Sequence, residues 1–369
     1  MNKIAFFTGA RSEYGVMKSL IQRINESSNI ESLIIVSGMH LVKSFGYTVE
    51  EIENDGFNVS KKIFSHKEDT APGADEFAII VREICEYLED SMPEVMFLIG
   101  DRPESYAAAL GAHFSKVPII HFGGGTVTEG ALDNIYRYNI SNLSSFHFST
   151  SIKNYERLCE LPILNKENIF FTGSFAIDAI LKFKENVKPI NLYIPELSNN
   201  EFVLMTFHSA TVSDDNIGLV MEESIKFILA QNIKILVTYP NSDPGYKVII
   251  EVINKYKEEE GVVVIKHLGA TRYYAALNDS LFVIGNSSSG LIEAPYFHKN
   301  VINIGDRQKG REMDVGVIDL PCEEEAVIEV LKNGFSNGWR AIENNQIYGD
   351  GNALDKAVHI IKTKILTND

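Results

Sequence analysis

Short apolar runs alternate with helical periodicity along almost the whole chain. The apolar runs are nearly continuous, which is typical of parallel strands covered on both faces. The predicted strands are KIAFFTG (3–9), SLIIVSG (32–38), VMFLIGD (95–101), VPIIHFGGG (117–125), FVLMTFH (202–208), IKILVTYP (233–240), VVVIKHL (262–268), LFVIGN (281–286) and NVINIGD (300–306). The predicted helices include EYGVMKSLIQRINES (13–27), EFAIIVREICEYLEDS (76–91) and NALDKAVHIIKTKIL (352–366). This βαβ alternation predicts a doubly wound α/β protein.

The pattern breaks between Lys182 and Glu201. This segment, KFKENVKPINLYIPELSNNE, carries two prolines and many polar residues without a clear period. It therefore predicts a linker between two domains. Two Rossmann-like halves with a cleft between them account for the length of 369 residues. Because ligands of such sheets bind at the carboxyl ends of the strands, the residues that follow each strand are the candidates for a site.

Composition and charge narrow the classes of partner. The formal net charge of −16 disfavours a nucleic-acid backbone as a ligand, whereas local arginines can still bind a small anion. The three cysteines are far apart and have no metal-site spacing, which is typical of reduced thiols in a cytoplasmic protein. The N-terminus lacks the pattern of a signal peptide, and no apolar run reaches the roughly 20 residues of a membrane helix. We expect a cytoplasmic protein without a membrane partner.

The segment GNSSSG, residues 285–290, follows an apolar strand and precedes a helical stretch. Small residues let a ligand approach the backbone, and serine hydroxyls with free amide N–H groups favour an anion. Ser287 and Ser288 are therefore candidates for binding a pyrophosphate, the alternative being an ordinary serine N-cap. Glu293, one turn further on, is either a ribose contact or a solvated glutamate.

Other strand ends carry charged residues of the same kind. Arg307 follows the next strand, in NIGDRQKGR, and its guanidinium suits a phosphate or a base carbonyl. Arg11 follows the first strand in a glycine-containing loop that lacks the G-x-G-x-x-G pattern, so a nicotinamide cofactor is not supported. Asp101 and Arg102 end another strand, and they predict either proton transfer and phosphate contact or an ion pair with each other. His208 ends the first strand of the second half and is a candidate for catalysis or for a structural role.

In this order, the motifs resemble those of the hydrolysing UDP-N-acetylglucosamine 2-epimerases of the sialic acid and legionaminic acid pathways. The resemblance covers nearly the whole chain, through TGARSEYG (8–15), VSGMH (36–40), GDR (100–102), TEGALDNIYR (128–137), FH (207–208), YPN (239–241), GNSSSGLIEAP (285–295) and NIGDRQKGR (303–311). It implies a glycosyltransferase-B fold, with UDP in the interdomain cleft and a C-terminal helix that crosses back to the first domain. The implied domains are residues 1–180, completed by residues 352–369, and residues 181–351.

The resemblance also implies roles for individual residues. The nucleotide contacts are Arg11, Arg102, Asn241, Ser287, Ser288, Glu293 and Arg307. Asp101, Asp133 and His208 hold positions of acid/base groups or stabilisers of the leaving phosphate. In the family reaction, the C2 proton is removed and UDP is expelled to give a glycal, and water then adds to release the 2-epimeric sugar. No cofactor and no metal ion are expected, and the family suggests a homodimer.

The chain departs from the family pattern at its acids. The family sequence His-Ile-Glu-Gly-Gly-Glu corresponds here to HFGGGT, so Gly123 and Thr126 stand at the two acid positions. Neither residue can act as a general base near neutral pH. Because the turn and the nucleotide motifs otherwise follow the family pattern, we nevertheless predict a hydrolysing UDP-HexNAc 2-epimerase that makes ManNAc or a 2,4-diacetamido analogue. The alternatives are a nucleotide-sugar hydrolase without C2 epimerisation, a glycosyltransferase of the same fold and a non-catalytic sugar-nucleotide sensor.

Overall fold

The chain folds as two compact units. The computed structural model describes residues 1–43, 46–66, 73–128, 133–197, 201–209, 216–240, 245–339 and 342–366. The unit that we call the N-terminal unit comprises Met1–Thr126, Leu132–Asp178 and Tyr348–Asp369. The other, the C-terminal unit, comprises Val127–Ala131 and Ala179–Ile347.

A parallel sheet of seven strands forms the centre of the N-terminal unit, in the order β3-β2-β1-β4-β5-β6-β7. Its strands are β1 (Asn2–Thr8), β2 (Ile30–Val36), β3 (Val59–Lys62), β4 (Val95–Ile99), β5 (Ile119–Phe122), β6 (Phe146–Ser149) and β7 (Ile169–Phe171). The helices that follow them are α1 (Arg11–Asn25), α2 (Val49–Asn54), α3 (Ala74–Ser91), α4 (Pro103–Phe114), α5 (Asp133–Leu143), α6 (Ile152–Glu160) and α7 (Phe175–Lys184), which continues past Asp178 into the C-terminal unit.

The C-terminal unit repeats this plan with six parallel strands in the order β10-β9-β8-β11-β12-β13. Its strands are β8 (Phe202–Thr206), β9 (Lys234–Thr238), β10 (Val262–Ile265), β11 (Phe282–Gly285), β12 (Asn300–Ile304) and β13 (Val317–Leu320). Its helices are α8 (Ile217–Leu229), α9 (Tyr246–Tyr256), α10 (Gly269–Asp279), α11 (Ser288–Ile292) and α12 (Glu324–Asn337). The two parallel α/β sheets confirm the predicted fold class.

Strand β1 shows why the apolar runs are continuous. Ile4 and Phe6 belong to the apolar core on one face of the sheet, whereas Ala5 and Phe7 belong to the core on the other face. All four side chains are at most 1% exposed. Because both faces are covered, the four central positions of the strand are all apolar.

The C-terminal helix returns to the N-terminal unit, as the family resemblance implies. This helix, α13 (Ala353–Ile360), buries Ala353 and Ala357 in the core that contains Phe6. The carboxylate of Asp178 accepts hydrogen bonds from the backbone N–H groups of Ala353 (3.1 Å) and Leu354 (2.7 Å). This capping satisfies amide groups that the first turn of a helix leaves without partners.

The segment predicted as a linker is packed rather than extended. Two short 3-10 turns, Ile190–Leu192 and Pro195–Leu197, bury Ile190 and Leu197. The backbone N–H of Ile190 donates to Asp279 Oδ2 at 2.7 Å, which ties the segment to α10. In the part of the chain that the structure describes, no helix is long and apolar enough to cross a membrane.

Candidate active site

Each sheet changes its winding direction once. Strand β1 lies between β2 and β4, and strand β8 lies between β9 and β11. The loops that leave two such neighbouring strands diverge, and a ligand crevice opens at their carboxyl ends. In the N-terminal unit, Arg11 follows β1, and Asp101 and Arg102 follow β4. In the C-terminal unit, His208 follows β8, and Ser287 and Ser288 follow β11.

The loop after β1 is held by a buried carboxyl group. Glu13, the third residue of α1, accepts the backbone N–H of Gly9 at 2.7 Å and that of the N-cap residue Ala10 at 3.1 Å. Its second oxygen accepts the Ser105 hydroxyl at 2.7 Å. Burial raises the pKa of Glu13 to about 7, although the charge of Arg102 opposes the shift. The Glu13 side chain thus fixes the backbone just before Arg11.

Arg11 itself forms an ion pair with a carboxylate of the next helix, α2. Its Nε lies 3.1 Å from Glu51 Oε2 on α2, and both side chains are about half exposed. An exposed pair of this kind contributes little to stability, so the guanidinium can exchange the carboxylate for another anion at low cost.

Arg102 sits beside two buried acids. Its Nη2 donates to Glu104 Oε1 at 3.3 Å, and Glu104 is only 2% exposed. Burial alone would lower the pKa of Arg102, but the charges of Glu104 and Glu13 outweigh it and raise the pKa. The Nε of Arg102 and the Oε2 of Glu104 have no hydrogen-bond partner among the described residues. A charged group with unused hydrogen-bonding atoms at a strand end suits a polar ligand.

Asp101 does not pair with Arg102. It forms an ion pair with Nη2 of Arg137, a side chain that is 1% exposed. The other terminal nitrogen of Arg137 donates to the Thr126 carbonyl and to Asn134 Oδ1, both at 2.8 Å. The Asp101 carboxylate is therefore fixed in place by a buried guanidinium. Asp133 begins α5, one turn before Arg137.

His121, at the end of β5, is structural. Its Nε2 lies 2.9 Å from the Gly100 carbonyl, so it donates there, and its Nδ1 accepts from the Ser141 hydroxyl at the same distance. Burial lowers its pKa to about 4. Both ring nitrogens are occupied, which excludes a role as a proton acceptor for a ligand in this arrangement.

Asn286 organises the strand ends of the C-terminal unit. Its side chain, which is completely buried, accepts the backbone N–H of His208 at 2.7 Å and donates to the His208 carbonyl at 2.8 Å. Its own carbonyl accepts from Arg307 Nη1 at 3.1 Å and from Gln308 Nε2 at 2.9 Å. One residue therefore brings together the ends of β8, β11 and β12.

His208 lies in this cluster as a neutral ring. Burial, together with the charge of Arg307, lowers its pKa to about 3. A neutral imidazole beside an arginine can hydrogen-bond to an anionic ligand, and the ligand's negative charge would favour its protonation.

The three serines at the end of β11 are half-buried, and two of them are linked. Ser287 is the N-cap residue of α11, and its Oγ lies 3.0 Å from Ser289 Oγ. Tyr273 of α10 contacts the same Ser289 hydroxyl. Burial raises the pKa of Glu293 to about 7, so this carboxyl is a better hydrogen-bond partner than an ordinary solvated glutamate.

The structure brings some of the predicted residues together and leaves others apart. His208, Ser287 and Arg307 meet around Asn286. Arg102 and Asp101 have separate partners, and Asn241 lies outside the described residues. The sequence reasoning missed Glu13, Glu104, Tyr273 and the central role of Asn286. For Glu13 a signal existed, since an acid at the third position of a helix commonly accepts the N-cap amide.

Two doubly wound sheets with polar residues at their strand ends are typical of proteins that bind nucleotides. A family model described as UDP-N-acetylglucosamine 2-epimerase matches residues 22–362, and the chain belongs to this family. Its fold is the glycosyltransferase-B type with two Rossmann-like domains.

Relatives and solved structures agree with this assignment. The chain is 33% identical to the hydrolysing UDP-N,N'-diacetylbacillosamine 2-epimerase of Legionella pneumophila, over 98% of this chain and 96% of that protein. It is 28% identical to polysialic acid biosynthesis protein P7 of Escherichia coli, over 98% of this chain and 94% of that protein. The crystal structure of UDP-GlcNAc 2-epimerase from Neisseria meningitidis bound to UDP-GlcNAc matches with a TM-score of 0.82 at 19% identity, over 99% of this chain and all of that one.

Proposed function

We propose that the protein is a hydrolysing UDP-HexNAc 2-epimerase, which releases UDP and a free 2-epimeric amino sugar. The product is ManNAc or a 2,4-diacetamido analogue, for nonulosonic acid and surface polysaccharide synthesis. The observation that carries the proposal is the cluster around Asn286, in which a neutral histidine, an arginine and a serine turn converge. The name of the Legionella relative supports the same reaction class, and the name of the Escherichia coli relative supports a role in polysialic acid biosynthesis.

The nucleotide contacts are assigned from the strand ends. Ser287, Ser288 and Arg307 hold the phosphates, since hydroxyl and guanidinium groups donate to phosphate oxygens. Glu293 accepts from the ribose hydroxyls. Arg11, Arg102 and Asn241 complete the proposed nucleotide contacts.

The chemical step is an elimination followed by a hydration. A base takes the C2 proton, the bond between C1 and the UDP oxygen breaks, and a C1–C2 double bond forms. Water then adds its oxygen to C1, and a proton returns to C2 on the opposite face. Asp101 and Asp133 are the proposed acid/base groups, and His208 stabilises the leaving phosphate or protonates it. The ion pair with Arg137 fixes the position of the Asp101 carboxylate.

A second candidate follows from Gly123 and Thr126, which stand at the family's acid positions. Without those acids the protein would be a UDP-sugar hydrolase that cleaves the anomeric bond and leaves C2 untouched. The backbone carbonyl of Thr126 accepts a hydrogen bond from Arg137, and the Thr126 hydroxyl accepts one from Asn154 Nδ2 at 3.0 Å. Thr126 therefore has a structural role.

Deuterium incorporation distinguishes the two reactions. UDP-GlcNAc and a UDP-2,4-diacetamido sugar are incubated with the enzyme in deuterated water, and proton NMR follows the released sugar. We expect deuterium at C2 and the manno configuration. Free GlcNAc that keeps hydrogen at C2 would refute the epimerase and support the hydrolase. Sugar transfer that requires an acceptor would indicate a glycosyltransferase. Binding without turnover would indicate a sensor.

We also propose the domains as residues 1–180 with 352–369 and residues 181–351, and a cytoplasmic homodimer. Phe114 on α4 and Ile135 on α5 are 68% and 58% exposed, and these two helices pack together. Large exposed apolar side chains on neighbouring helices suit a second copy as partner. Light scattering that gives the mass of one chain would overturn the dimer.

A further inference from the structure

Three hydroxyl groups form a chain at the end of β11. Tyr273 of α10 contacts Ser289 Oγ, which lies 3.0 Å from Ser287 Oγ. Ser287 is the N-cap residue of α11 and follows Asn286 directly. The chain therefore connects a tyrosine held by another helix to a serine that we assign to the phosphates.

The acidities of the three hydroxyl groups indicate which group donates and which accepts in each of these hydrogen bonds. A phenol is a stronger acid than an aliphatic alcohol, so Tyr273 is the natural donor at its end. Burial and the charge of Glu293 raise the pKa of Tyr273, so the phenol keeps its proton. If Tyr273 donates to Ser289, then Ser289 donates to Ser287, and the Ser287 proton is left for an acceptor outside the chain. Hydrogen bonds in such a row polarise and strengthen one another.

We propose that Tyr273 is a positioning residue for the diphosphate, because it sets Ser287 as a hydrogen-bond donor to a phosphate oxygen. Without the phenol, Ser287 can donate to Ser289 instead and turn its oxygen lone pairs toward the ligand. Those lone pairs would repel a phosphate. This inference rests on the proposed function, since it takes a nucleoside diphosphate as the ligand.

The test compares Tyr273→Phe with a matched control, Tyr274→Phe. Tyr274 is the next residue of α10, and its ring packs against Phe183 and Phe297 with centroid separations of 5.5 and 6.0 Å. Both variants lose one phenolic oxygen from the same helix. We expect the Kd for UDP, measured by calorimetry, to rise about three- to tenfold in Tyr273→Phe and to stay unchanged in Tyr274→Phe.

Two further measurements separate positioning from a general loss of structure. Uridine lacks phosphates, so its affinity, measured by NMR titration, should be the same in both variants and the wild type. In the Ser287→Ala background, Tyr273→Phe should cause no further loss, because the group that it orients is gone.

Three results would refute the role of Tyr273, and a fourth would refute the proposed function. An unchanged Kd for UDP in Tyr273→Phe, an equal loss for uridine, or a full additional loss in the Ser287→Ala background would refute the role of Tyr273. A wild-type protein that binds no UDP would instead refute the proposed function itself.

Discussion

Removing the side chain of Asn286 should lower both the stability of the C-terminal unit and its affinity for UDP. In Asn286→Ala, the backbone N–H and C=O of His208 both lose the hydrogen bonds that they make with the Asn286 side chain, and both lie in the buried part of the C-terminal unit. The backbone carbonyl of residue 286, which accepts from Arg307 and Gln308, is kept. The ends of β8 and β11 also keep the backbone hydrogen bond from the N–H of residue 286 to the Thr206 carbonyl (3.1 Å), but they lose the two side-chain bonds at the place where the ligand is proposed to bind.

The two lost hydrogen bonds set the magnitude. Breaking a buried hydrogen bond costs up to about 1–3 kcal/mol, and two such bonds are broken. Water can enter the space of the missing amide and reduce the cost, so we expect a loss of about 3 kcal/mol in the free energy of unfolding. For a unit of this size, such a loss corresponds to a fall of about 6–12 °C in Tm.

The assay combines urea unfolding with calorimetric titration of UDP. Asn303→Ala is the matched control, since Asn303 is an equally buried asparagine on β12 that donates to Asp319 Oδ1 at 2.7 Å. The control should lose about 1 kcal/mol and keep its UDP affinity, because the one hydrogen bond that it breaks joins β12 to β13 and not to the serine turn after β11. The reasoning is wrong if Asn286→Ala loses no more stability than the control, or if its UDP affinity is that of the wild type.

Three further predictions concern single groups of the same unit. Arg307→Ala should weaken UDP binding at least roughly tenfold, as expected for a lost charge-assisted hydrogen bond; unchanged affinity in calorimetry would remove Arg307 from the site. His208→Ala should lower turnover by on the order of a hundredfold while UDP still binds, and near-normal turnover would return His208 to a structural role. In the folded protein the pKa of Glu293 is raised from 4.5 to about 7. Between these pH values the folded protein therefore keeps a proton on Glu293 that the unfolded chain has released. The free energy of unfolding should therefore fall as pH rises from about 4.5 to about 7, and Glu293→Gln should flatten that slope; parallel profiles would contradict it.

The sequence predicted nine of the thirteen strands that the described residues form and missed β3, β6, β7 and β13. Strand β1 is apolar at every core position, as a strand covered on both faces should be. Strand β3 reads VSKK, is half-buried at every position and lies at the edge of its sheet, so its lysines hide it in a search for apolar runs. Strand β7 has only three residues, which is too short for a pattern to emerge. Strand β10 also lies at the edge of its sheet and is half-buried at every position, but it reads VVVI and was predicted, so apolar composition and length decided which strands the sequence reveals.

The candidate site was predictable residue by residue, but its connections were not. Strand ends identified Arg307 and His208, because parallel topology brings all carboxyl ends to one edge. The hydrogen bond between Ser105 and Glu13 joins residues 92 positions apart, and the one between Asn286 and the His208 backbone joins residues 78 positions apart. Such contacts depend on the register of neighbouring strands and on tertiary packing, which periodicity within one segment does not determine.

The glycine run after β5 gives a last prediction, because two of its members differ in what surrounds them. At Gly123, φ is +90° and a Cβ atom would meet no described atom within 4 Å. Gly123→Ala should therefore cost only backbone strain, about 1–2 kcal/mol. At Gly125, φ is +78° and a Cβ atom would lie 2.3 Å from the carbonyl oxygen of Asn154. Gly125→Ala must displace Asn154, which also binds Thr126, and should cost about 3 kcal/mol or more. Urea unfolding measures the free energy of unfolding of both variants. Equal losses would show that the predicted clash between a Cβ atom at position 125 and the Asn154 carbonyl does not occur. If the difference holds, a Cβ atom at Gly123, where the family resemblance implies an acid, strains the backbone but displaces no described neighbour, unlike one at Gly125 beside Asn154.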